Sequence, residues 1–155
     1  MLVRFLLGAC VYALLSGPLA SRVPKDEVRL ACADTTALAV VYAGGSPVDA
    51  VIAGEWRARE SGCVDDAISP DGQDCGPMQQ RGVARHGRSC SELAADPVLA
   101  VRMWLEDLER LRGVCGTTFR ALGALSGGKC GARPGLVRGR CLQAGLTAAC
   151  EEKPS

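Results

Sequence analysis

Nine cysteines, at positions 10, 32, 63, 75, 90, 115, 130, 141 and 150, constrain this chain of 155 residues more than any other feature. Their value depends on the compartment, and the N-terminus speaks to that. Arg4 precedes an apolar run from Phe5 to Leu15, and Ser16-Gly17-Pro18-Leu19-Ala20 ends in small residues. A short positive region, a short apolar region and a small-residue end make the pattern of a secretory leader. The 16 residues from Phe5 to Ala20 are short for a membrane span, which needs about 20. Two other readings are a retained anchor and a lipoprotein site at Leu7-Gly8-Ala9-Cys10, although the apolar Val11 to Leu15 would make an odd tether. With residues 1–20 removed, Cys10 leaves with the leader and eight cysteines remain, an even number. That count predicts four disulfides in an exported, periplasmic or secreted chain, with about 105 possible connectivities.

The same residues argue against metal. No Cys-x-x-Cys occurs and His86 is the single histidine, so a structural zinc site is not expected. Basic and acidic residues number 18 and 17, a balance unlike the basic excess of nucleic-acid proteins. Aromatic residues are 4%, leaving few platforms on which bases could stack. Residues 21–155 are long enough for one domain with a genuine core and hardly for two.

Helix signals dominate that domain. Asp26 and Glu27 after Pro24 suit a first helical turn, and Gly44-Gly45 ends the helix after Tyr42. Ser46-Pro47-Val48-Asp49 reads as an N-cap, a proline at the first helical position and an acid three residues after the cap. This second helix runs to about Ser61, where Gly62 stops it. Asp96-Pro97 opens a third, whose stripe of Val98, Val101, Leu105, Leu108 and Leu111 predicts a core face, with Gly113 closing it. Shorter helices are expected around Phe119 to Leu125, ended by Gly127-Gly128, and over Leu136 to Leu142. Cys63 to Gln79 has no helical period, and Ser69-Pro70-Asp71-Gly72 is a turn signal. It predicts an irregular loop or small hairpin. Cys63 and Cys75 flank the loop, and a bridge between them is expected to pin it in a ring of about 13 residues, contributing about 3 kcal/mol.

The most informative stretch is Val48 to Gln80, in which a helix ends in Glu60-Ser61-Gly62, a polar loop follows, and Gly76-Pro77-Met78-Gln79 comes next. Later come Asp96-Pro97 and Ala121-Leu122-Gly123-Ala124-Leu125-Ser126-Gly127-Gly128. In content and order these segments, over about residues 28 to 142, resemble the lytic transglycosylase and goose-type lysozyme superfamily. The resemblance implies a mainly α, lysozyme-like single domain with a short irregular loop or β-hairpin, stabilised by disulfides. It implies cleavage of the β-1,4 bond between N-acetylmuramic acid and N-acetylglucosamine in peptidoglycan, with no cofactor. Glu60 would be the one catalytic group, acting first as acid and then as base while the sugar's own 6-hydroxyl closes a 1,6-anhydro ring. Ser61, Met78 and Gln79 match positions that line the substrate cleft. The implied partners are peptidoglycan strands, and a cell-envelope or secretion assembly fits the same reading; a monomer is expected.

The local chemistry of Glu60 agrees. It lies four residues after Trp56 and eight after Ile52, at the edge of an apolar face. It also sits in the last turn of its helix, where the macrodipole disfavours a carboxylate. Both influences favour the protonated acid that transfer to a glycosidic oxygen requires. Glu55, nearer the middle of that face, is expected to pair with Arg59 at i, i+4 and serve structure. A hydrolytic outcome would need a water held by a second carboxylate, for which Asp65 and Asp74 are the candidates. Two departures from the family stand out. Pro77 replaces leucine, and Leu125-Ser126 falls where the family has Tyr-Asn. Both favour a rival reading, a lysozyme-fold binding protein without turnover; a second rival is a cysteine-rich secreted inhibitor or structural domain that resembles the family by chance. Trp104 is expected to pack rather than to line a cleft, and His86 to sit in a solvated basic loop.

Overall fold

A computed structural model of the protein describes residues 1–149. Within them the chain is mainly helical, with seven α-helices and one two-stranded sheet. It divides into two compact units, Met1–Leu105 and the residues from Glu106 onward.

In the first unit, α1 (Leu2–Ser16), α2 (Asp26–Ala43) and α3 (Pro47–Glu60) pack on one another. Leu7, Val11, Leu14 and Leu15 of α1 are buried against a face built largely of small residues, among them Ala33, Ala37, Ala50 and Ala53. Gly54 shows how close the approach is, since a Cβ there would lie 2.7 Å from Val11 Cγ1. Arg4 binds both carboxylate oxygens of Asp34, and the Tyr12 hydroxyl donates to Asp26 at 2.6 Å.

The helix ends follow the sequence signals. Gly44 stops α2 with φ +68°, and the amides of Gly44 and Gly45 reach back to Val41 and Val40, the double bond of a Schellman stop. Ser46 and Asp49 exchange hydrogen bonds in a capping box at the start of α3. The residues after α3 turn at Gly62 and Cys63, both at positive φ. They lead to the Ser69–Gly72 turn and then to an antiparallel hairpin, β1 (Asp74–Cys75) and β2 (Gln80–Arg81), joined by Gly76-Pro77-Met78-Gln79. The expected small hairpin is therefore present.

A helix that the sequence reading passed over follows, α4 (Cys90–Ala95), opened by a second capping box between Ser89 and Glu92. It carries Leu93 into a cluster with Cys75, Ala100 and Met103. Asp96 then caps α5 (Pro97–Cys115), its carboxylate accepting from the Leu99 amide at 2.9 Å. Val101 and Leu105 of the expected stripe are buried in this unit. Trp104 packs as expected, its ring centroid 5.1 Å from that of Trp56.

The second unit holds the end of α5 with α6 (Thr118–Gly127) and α7 (Pro134–Gln143). Gly113 does not close α5; the helix runs to Cys115, and Gly116 at φ +83° makes the stop. Gly123 is the tight point of this unit. A Cβ there would fall 2.7 Å from the backbone N and O of Ala132, atoms that cannot swing aside. Gly123→Ala is expected to destabilise the protein by about 1–3 kcal/mol, read as a lower thermal midpoint; an unchanged midpoint would mean that α6 and the 131–132 turn separate freely.

The disulfides overturn one expectation. Cys63 pairs with Cys32 and Cys75 with Cys90, so no bridge closes the 63–75 loop on itself. The reason lies in the two ends of the loop: its start returns to α2, whereas the hairpin turns Cys75 towards the first residue of α4. Cys115 pairs with Cys130, and Cys141 is also disulfide-bonded. Cys150 lies outside the described residues. Cys10 is exposed and unpaired.

Candidate active site

The site forms where α3 ends. Glu60 is its last residue and is half-buried. The next residue ties the helix to the hairpin: Ser61 Oγ lies 3.0 Å from the Arg57 carbonyl and 2.9 Å from the Pro77 carbonyl. One hydroxyl hydrogen serves two acceptors, a three-centre arrangement. The segments 60–62 and 76–79, separate in sequence, thus meet at this serine.

The other candidate residues serve the hairpin. Gln79 has φ +48°, and its Nε2 donates to the carbonyls of Ala67 at 2.9 Å and Gly76 at 3.0 Å. Both amide protons are used there, which leaves its Oε1 as the acceptor available to a ligand. Met78 is buried, with 2% of its surface exposed, and offers a ligand almost nothing to touch. Glu55 is buried and paired with Arg59, as the spacing predicts.

Below the helix end lies Arg57, which the sequence reading missed. Its side chain is 1% exposed. Nη1 donates to the Cys32 carbonyl at 3.1 Å and to Thr36 Oγ1 at 3.2 Å, and Nη2 forms an ion pair with Asp65. Burial lowers the Arg57 pKa from its ordinary value, and the charge and hydrogen bond of Asp65 oppose that shift. The available signal was a cation four residues after Ala53 and seven after Ala50 on a small-residue face. Together with the Cys32–Cys63 bridge, Arg57 fastens the chain that leaves Glu60 to α2.

Loop carboxylates are mostly committed. Asp65 is held by Arg57, and Asp71 and Asp74 are both held by Arg81. Hydrogen bonds from the Ser69 hydroxyl and the Gln73 amide, with Arg81 beside it, keep the Asp71 carboxyl below the usual range. Asp66 is exposed. A mainly apolar groove of about 640 Å³ runs past this loop, lined by Asp66, Ala67, Ile68, the Cys75–Cys90 pair and α4; Glu60, Ser61, Met78 and Gln79 do not line it. His86 is exposed, in the left-handed conformation, in the basic loop. In the second unit, Leu125 and Ser126 are half-buried on α6.

Among the described residues, no cluster of three or more histidine, cysteine, aspartate or glutamate side chains could hold a metal ion, and no helix is long and apolar enough to cross a membrane. No known family model, curated protein or solved structure matches this chain.

Proposed function

We propose that the protein is an exported, lysozyme-like peptidoglycan lytic transglycosylase with Glu60 as its general acid and base. The observation that carries the reading is the hydrogen bond from Ser61 to the Pro77 carbonyl. It joins the two segments on which the resemblance rests, in the order helix end, loop, hairpin turn. Glu60 would give its proton to the glycosidic oxygen as the C1–O bond breaks and the N-acetylglucosamine end leaves as an alcohol. The resulting carboxylate would take the proton of the 6-hydroxyl while that oxygen bonds to C1. One group serves both steps and no water is consumed.

The committed loop acids favour this route over hydrolysis. A two-carboxylate hydrolase needs a second group free to hold or replace water, and Asp65 and Asp74 are both engaged by arginine. The test is digestion of purified sacculi by the oxidised protein, with mass spectrometry of the soluble products. Anhydro-muropeptides, one water lighter than their hydrated counterparts, are expected. Hydrated products would replace the reading with a muramidase, and the search for its second carboxylate would turn to Asp66.

A binding protein without turnover is the second reading. It is favoured by Leu125 in place of the family tyrosine and by the commitment of both Gln79 amide protons to the hairpin. It predicts that sacculi capture the protein and stay intact.

A further inference from the structure

Charge is unevenly distributed along a chain whose formal net is only +1. Residues 1–115 hold 12 basic and 15 acidic groups, a net of −3. Residues 116–149 hold Arg120, Lys129, Arg133, Arg138 and Arg140 and no acid at all, a net of +5. The final six residues add two glutamates and a lysine and lie outside the described structure. Charge segregation of this kind marks a surface for an anionic partner.

The second unit gathers these cations around one turn. The chain between α6 and α7 is anchored by the Cys115–Cys130 bridge and by the Gly131 amide, which donates to the Arg120 carbonyl at 2.9 Å. The Arg120 side chain runs beside Gly131, and that of Arg133 beside Gly127. Lys129 projects from the same turn and is exposed, as are Arg120, Arg133 and Arg138. None of these four has an acidic partner among the described residues, whereas Arg4, Arg57, Arg59, Arg81 and Arg88 of the first unit all do. Arg138 is held over the Phe119 ring, 5.9 Å from its centroid. Arg133 is the N-cap of α7, at φ +50°, and no acid stands in the first turn of that helix. A cation at the positive end of a helix dipole is unfavourable, and no acid among the described residues offsets it.

We propose that this α6–α7 face binds the carboxylates of peptidoglycan stem peptides and so holds the wall polymer by charge. The identity of the polymer rests on the transglycosylase reading; the need for an anion rests on the cations themselves. Guanidinium forks suit carboxylates. Single-stranded nucleic acid fits less well, because Phe119 is the one aromatic residue in 116–149 and is 2% exposed, leaving no ring on which a base could stack. A lipid surface also fits less well. The exposed apolar residues of α7, Leu136 and Leu142, are six positions apart and lie about 120° from one another around the helix, so they form no insertable stripe.

The test is co-sedimentation of the full, oxidised Glu60→Gln protein with purified sacculi across a salt series. The same series is run with sacculi stripped of stem peptides by an amidase. Binding to intact sacculi is expected to weaken steeply with salt, because exposed charge pairs are screened. The triple variant Arg120→Gln, Arg133→Gln, Arg138→Gln is expected to bind about tenfold more weakly with a flatter salt dependence, and stripped sacculi to bind the parent no better than that. Equal binding to intact and stripped sacculi, or a triple variant that binds like its parent, would overturn the proposal. So would tighter binding to duplex DNA or to anionic phospholipid vesicles at the same salt. All three substituted residues are exposed, and circular dichroism checks that the variant is folded. The result is separable from turnover: charge-dependent capture without cleavage by the parent sequence removes the transglycosylase reading alone, and anhydro products without charge-dependent capture remove this one alone.

Discussion

Under the proposed transglycosylase reading, Glu60→Gln is expected to reduce release of anhydro-muropeptides by about a thousandfold or more while leaving the thermal midpoint within a degree or so. General acid or base catalysis by one positioned side chain contributes about 10²–10⁴-fold, and here the same carboxyl is asked to act twice. Glutamine keeps the size and shape of the side chain but can neither ionise nor give and take a proton in this pH range. The site is the half-buried end of a helix, so the fold should tolerate the exchange. Glu55→Gln provides the contrast. Glu55 is buried against Arg59, and losing that pair should lower stability by about 1–3 kcal/mol with far less effect on turnover. Loss of turnover in Glu55→Gln together with an active Glu60→Gln would exchange the roles assigned to the two glutamates.

Arg57→Met should destabilise the protein by about 3 kcal/mol, measured by chemical denaturation under oxidising conditions. Removing one partner from a buried ion pair costs about 3–5 kcal/mol, and the lower end applies because the Asp65 side chain is 39% exposed and would recover water. The Cys32 carbonyl and the Thr36 hydroxyl would lose their donor in a buried place. Lysine should restore little, because a single ammonium cannot match the fork that reaches all three acceptors. A variant within about 0.5 kcal/mol of its parent, the usual range for a surface substitution, would show that Arg57 does not fasten the chain leaving Glu60.

Local devices were the legible part of this fold. Ser46-Pro47-Val48-Asp49, Asp96-Pro97 and Gly44-Gly45 act through atoms only a few residues apart, so their spacing nearly determines the outcome. The same kind of signal at Ser89 and Glu92 is faint in sequence, because the helix it opens has only six residues and one buried side chain, Leu93. Gly113 misled because a helix interior tolerates an exposed glycine at a cost of about 1 kcal/mol, and the stop needed the left-handed Gly116. Partnerships across the chain were illegible. Cys63 and Cys75 look like the ends of one ring in sequence, but which sulfur meets which depends on where α2 and α4 lie. Glu60 could be named as a candidate from its place on a helix, whereas the contacts of Arg57 emerge only once α2 supplies the acceptors.

Docking of α1 has a consequence for timing. An export channel takes an extended chain, and its receptors must reach the apolar leader. In the folded protein the inner face of α1 is already occupied, with Val11 and Leu15 fully buried against α2 and α3. Under the export reading, translocation and folding therefore compete as a race, and any precursor that seats α1 first is withdrawn from the pathway. The Cys32–Cys63 bond, which links α2 to the chain leaving α3, would make that withdrawal permanent. On that reading a reducing cytoplasm would keep the two sulfurs apart, and the delay in forming one covalent bond would preserve the precursor's passage.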